Sequence, residues 1–160
     1  MPQTSIPIPA LLLGAAGLLP FIATALQIVT GWPLSPRLTG PALYHLTVYA
    51  AVILSFLGGV QWGMAAGART SSQAADWRQY GMSMLPSLVA WLALWLSSGF
   101  LASARTVLLI LAASHGLWLV YDLWTVRQGE APEWFARLRM GLTGVAATCL
   151  VAAALFGPFG

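Results

Sequence analysis

The chain is 160 residues long, 59% hydrophobic and only 7% charged, with seven basic and four acidic side chains and a formal net charge of +3. An ordinary soluble domain carries about 25% charged residues, and a fold this small leaves a large share of its chain facing outward. The composition therefore excludes a soluble enzyme, and the single cysteine, Cys149, excludes an internally cross-linked secreted scaffold.

All the basic residues are arginines scattered at breaks between apolar runs, which is a topological pattern rather than a nucleic-acid-binding face. A transmembrane helix needs about 20 apolar residues, and five runs qualify: about 10–30, 41–67, 80–98, 104–126 and 138–156. The fold class expected is an all-α, polytopic helical bundle forming a single membrane domain. The first run has no Lys or Arg ahead of it and is too long for a signal-peptide core, so it is read as a retained helix. Pro20 lies inside it and predicts a kink, with neighbouring helices or Thr24 occupying the freed backbone. Pro41 fits the first turn of the second helix.

The second run carries Ser55, Gly59, Gly63 and Gly67 at four-residue spacing, with Gly58 beside them. Small residues at that interval make a groove into which another helix can pack, within the bundle or on a partner. Gln61 lies on the same helix. The third run holds Ser83 and Ser87 around Pro86, a second expected kink. The fourth holds His115 in mid-span and Asp122, the only acid within a span. Asp122 is about four residues from the helix end, roughly 6 Å deep at 1.5 Å per residue, shallow enough to be hydrated. Arg69, Arg78 and Arg127 are its expected ion-pair partners.

Pro132, after Gly129, predicts a short interfacial helix carrying Trp134 and Phe135 into Arg137 and Arg139. Trp32, Trp77 and Trp134 mark segment ends, as an aromatic belt would. Five arginines (69, 78, 127, 137, 139) share the side of the N-terminus and two (37, 105) the other, which places the N-terminus in the cytoplasm and the C-terminus outside.

Matching depths group Gln61, Ser83, Ser87, His115 and Asp122 as a candidate polar network. Such layers hold helix register more often than they perform chemistry. His115 and Asp122 share a helix face, because seven residues come within about 20° of two turns. His45 and His115 are offset by roughly 10 Å along the bundle, which argues against a shared haem or metal. No catalytic motif is present, so neither enzymatic activity nor a cofactor is expected.

The stretches YAAVILSFLGGVQWG (Tyr49 to Gly63), MLPSLVAWLAL around Pro86, YDLW around Asp122 and GAAGLLPF (Gly14 to Phe21) resemble domain of unknown function family 3429. That family comprises small polytopic bacterial proteins with a mitochondrial relative, transmembrane protein 69. Gln61 departs from a histidine found there in many members, which weakens a metal or proton role at that position. The resemblance implies about five spans in a bacterial inner membrane, or alternatively a mitochondrial one, and no assigned activity. Three functions are carried forward: an accessory or assembly component packing against a larger membrane complex or a second copy, a proton or solute carrier centred on Asp122, Gln61 and His115, and a quinone or lipid binding module.

Overall fold

The computed structural model describes residues 5–32, 35–67, 73–98 and 101–158. Arg69 lies outside them. Among the described residues the chain is all helix: α1 (Ile8–Ala16), α2 (Leu19–Thr30), a 3-10 turn (Pro36–Leu38) leading into α3 (Thr39–Gly67), then α4 (Gln73–Ser98), α5 (Ala104–Arg127) and α6 (Glu133–Phe156). Five helical segments, α1 and α2 together counting as one, are long and apolar enough to cross a membrane.

The first expected helix is two. It breaks at Gly17 and Leu18, so Pro20 falls in the first turn of α2, where a missing N–H costs nothing. The backbone group exposed by the break is taken up by α3, since the Tyr49 hydroxyl donates to the Gly17 carbonyl at 2.8 Å. Thr24 instead donates to the carbonyl of Pro20 at 2.6 Å. Helix α4 starts well before the apolar run and passes through Pro86 uninterrupted. The short interfacial helix expected after Pro132 is the beginning of α6 itself. Gly129, at a φ of 73°, makes the turn between α5 and α6 in a conformation that favours glycine.

Helix α3 packs along α4 and α5 along α6, while α2 lies against both α3 and α6. Their contact faces are rich in alanine: Ala50, Ala51, Ala90, Ala93, Ala146, Ala153 and Ala154 are all buried. Small side chains let backbones approach, which is how helices associate where lipid supplies no hydrophobic drive. On α3 the buried residues Ala42, Leu46, Ala50, Leu54, Leu57, Gln61 and Ala65 form one helical stripe. On α5 the stripe is Leu108, Leu111, His115, Trp118, Asp122 and Thr125. On α6 it is Phe135, Arg139, Thr143, Ala146, Leu150 and Ala153. Polar groups thus lie inside among leucines and alanines while many large apolar side chains face outward: Asp122 is 1% exposed and Leu117, on the same helix, 72%. That inversion suits a hydrocarbon solvent, where an unpaired polar group is expensive.

The small residues of α3 fall on two sides of the helix. A side chain at Gly58 would begin 2.3 Å from the Ser83 carbonyl oxygen and 3.3 Å from the Pro86 ring, so only glycine allows this α3–α4 contact. Among the described residues nothing would meet a side chain at Gly59, Gly63 or Gly67, and Ser55 is half-buried with its hydroxyl turned back to Ala51 at 3.0 Å. Within the bundle the close approach is made at Gly58, beside the four-residue series, rather than at those three glycines.

Candidate polar site

The buried stripes of α3, α5 and α6 converge on Asp122. Its Oδ1 accepts from Gln61 Nε2 at 2.6 Å and its Oδ2 from Arg139 Nε at 2.6 Å. The Thr125 hydroxyl donates to the Asp122 backbone carbonyl at 2.8 Å and lies 3.5 Å from Gln61 Nε2. All four residues are buried. Each carboxylate oxygen thus has a donor, and the carboxylate is neutralised by the guanidinium. Three helices are fastened at one height by bonds that a rotation of any one would break, an arrangement that specifies register.

Two expectations about Asp122 are corrected. It is enclosed rather than hydrated, because Gln61 of α3 and Arg139 of α6 close over its carboxylate. Among the described residues its ion-pair partner is Arg139 rather than Arg78 or Arg127. Arg78 forms an ion pair with Glu130 and lies over the Trp124 ring, 4.5 Å from its centroid. Arg127 is exposed at the end of α5.

Of the expected network, the structure joins Gln61 to Asp122 and leaves the rest apart. Ser83 is buried but donates to the Tyr80 carbonyl at 2.7 Å. Ser87 is half-buried on α4, beside Pro86. His115 lies two turns along α5 from Asp122, with Nδ1 2.9 Å from the Leu111 carbonyl and its ring edge-on to Phe21. His45 is exposed and packs against Tyr44, so the two histidines do not face one another. Among the described residues no group of three or more His, Cys, Asp or Glu could hold a metal.

Sequence reasoning missed Arg139, Thr125 and Thr143. The signal was available for α6, where Phe135, Arg139, Thr143, Ala146 and Leu150 recur at helical spacing and place Arg139 on the buried face.

A second feature adjoins this layer. A cleft of about 370 Å³ opens between α1, α3 and α6, with His115, Arg139 and Thr143 among its lining residues. His115 Nε2, Arg139 Nη2 and Thr143 Oγ1, atoms of these lining residues, are buried and have no hydrogen-bond partner among the described residues.

The sequence pattern of the family described as Protein of unknown function (DUF3429) matches residues 6–155. The chain is 39% identical over 149 residues to Transmembrane protein 69 of Xenopus tropicalis, covering 91% of this chain and 53% of that protein. It is 32% identical over 140 residues to Transmembrane protein 69 of Mus musculus, covering 88% of this chain and 53% of that one. The chain thus spans about half the length of the curated relatives it matches. No solved structure matches it. A family match over nearly the whole chain, transmembrane relatives and a bundle that turns its polar groups inward agree: this chain is a multi-span membrane protein belonging to the DUF3429 family.

Proposed function

We propose that this chain is a non-enzymatic component of an energy-coupling inner membrane, bacterial or mitochondrial, that works by packing against another membrane-embedded helix as an accessory or assembly subunit. The observation that carries this reading is the unoccupied side of α3. At Gly58 the protein itself provides a precedent for what a glycine on this helix does, since it admits a neighbouring helix to backbone contact. Gly59, Gly63 and Gly67 offer the same opportunity on the outer face, where no atom of the described residues would lie within 4 Å of a side chain's first carbon. Lipid chains fill such a groove less well than a helix backbone does, so the face favours a protein neighbour.

The closed state of the polar layer supports packing over transport. A carrier needs a carboxylate that can exchange its partner, and both oxygens of Asp122 are engaged by Gln61 and Arg139.

The test is purification of a tagged copy in mild detergent, resolved on a native gel with mass spectrometry of each band, alongside a Gly59→Leu/Gly63→Leu variant. A stoichiometric membrane partner, or a second copy, that is lost in the variant is the expected result. A lone monomer from wild type, or a complex indifferent to the substitutions, overturns the proposal.

A further inference from the structure

The cleft between α1, α3 and α6 holds polar groups that the Asp122 layer does not use. Its walls are apolar, with Leu13, Phe21, Phe56, Trp134, Phe135 and Leu142 among them. Leu13 and Phe56 are largely exposed, so the mouth faces the hydrocarbon rather than water. Helix α1, which forms one wall, buries none of its own residues. Against this background His115, Arg139 and Thr143 are at most 5% exposed, and each has a buried polar atom with no partner among the described residues. A buried donor or acceptor left unsatisfied is costly, and native proteins rarely carry several at one place without something to satisfy them. An apolar pocket with a few convergent polar groups is the ordinary form of a small-molecule site.

The chemistry of the three groups narrows the ligand. The Leu111 carbonyl can only accept, so His115 Nδ1 carries the proton in that bond, and in its neutral form the ring presents Nε2 as an acceptor. Arg139 Nη2 can only donate, and the Thr143 hydroxyl can do either. The charge on Arg139 is already balanced by Asp122 at 2.6 Å. A carboxylate or phosphate head would therefore bring an uncompensated charge into an apolar cleft and set it against the His115 lone pair. A neutral head that combines an accepting oxygen with an O–H meets all three groups.

We propose that this cleft is a binding site for a neutral lipophile with a carbonyl or hydroxyl head, of the quinone and quinol class, entering laterally from the bilayer. A quinone oxygen accepts from Arg139 and Thr143; in the reduced form the hydroxyl also donates to His115. The proposal concerns binding alone and is independent of the helix-docking reading, because the ridge glycines lie outside the cleft lining.

The test uses the full chain in mild detergent, titrated with a decyl-substituted benzoquinone, with its quinol and with dodecanoate at neutral pH. Quenching of tryptophan fluorescence by the quinone reports occupancy, since Trp134 lines the cleft, and the quinol and dodecanoate are read by competition against it. Thr143→Val removes one hydroxyl at nearly constant volume. Arg139→Lys keeps a cation for Asp122 but removes the second guanidinium nitrogen. Thermal midpoints of both variants establish that they are folded, and an organic extract of the wild-type protein provides a measurement independent of either. The expected result is saturable quinone and quinol binding, weakened about fivefold or more in Thr143→Val, with dodecanoate at least tenfold weaker than quinone, and quinone in the extract. Linear, unsaturable quenching equal in wild type and folded variants overturns the proposal. So does dodecanoate binding as tightly as the quinone, which would assign the cleft to anionic lipid.

Discussion

Replacing Arg139 by methionine should strand Asp122, and the size of the effect follows from the geometry. At an effective dielectric of about 20, unit charges 2.6 Å apart attract by about 6 kcal/mol. Desolvating the two ions costs several kcal/mol each, so the intact pair contributes little net stability. Removing one member is different, because the remaining carboxylate loses its counterion while Gln61 and the buried surroundings still hold it away from water. The expected loss is about 3–5 kcal/mol for Arg139→Met. Asp122→Leu should be comparable. The double variant Asp122→Leu/Arg139→Met should recover most of that loss, since it leaves no charge unpaired. Reversible unfolding in mixed micelles, followed by tryptophan fluorescence, measures all three in one cycle. A single variant costing under about 1 kcal/mol, or a double variant costing the sum of the singles, would refute the account of this layer as a mutually dependent ion pair.

Three further outcomes follow from local contacts. Gly58→Ala should destabilise the bundle by about 1–3 kcal/mol, because its Cβ would overlap the Ser83 carbonyl, whereas Gly59→Ala should be close to neutral in the isolated chain; thermal midpoints in detergent compare them. Tyr49→Phe removes the donor to the Gly17 carbonyl and should cost about 1 kcal/mol. Hydrogen exchange confined to the α1–α2 junction would locate that loss, and exchange unchanged there would contradict it. Glu130→Gln should cost less than about 1 kcal/mol in the same unfolding assay, because its ion pair with Arg78 is only part-buried and the Trp124 ring still holds the guanidinium.

The spans were legible because hydropathy over some 20 residues is a strong signal, and the runs about 104–126 and 138–156 fall within α5 and α6. The helix ends were not, where helix continues beyond the hydrocarbon. Residues 73–79 and 133–137 are too polar to be read as membrane, yet they extend α4 and α6. Arg139 was hidden by the same reasoning: near the start of an apolar run, it reads as a topological charge. Its spacing of four from Thr143 and seven from Ala146 places it on the buried stripe that meets Asp122, a signal that the reading as a loop charge passed over. The break at Gly17 and Leu18 was displaced from Pro20 because a proline is tolerated in a first turn, so the discontinuity moves to the residues before it. The outward turn of Gly59, Gly63 and Gly67 was beyond the sequence, since a four-residue spacing defines a ridge without saying which side of it is filled.

The docking of α3 is tested most directly by photo-cross-linking in native membranes, with a small diazirine amino acid at Val52 and Ala66, which are exposed and lie on the Gly59 face at seven-residue intervals. Leu117 and Val120, exposed on α5, are the controls. The account predicts a discrete protein adduct from Val52 and Ala66 and lipid adducts alone from Leu117 and Val120. Lipid adducts alone from all four positions would contradict it.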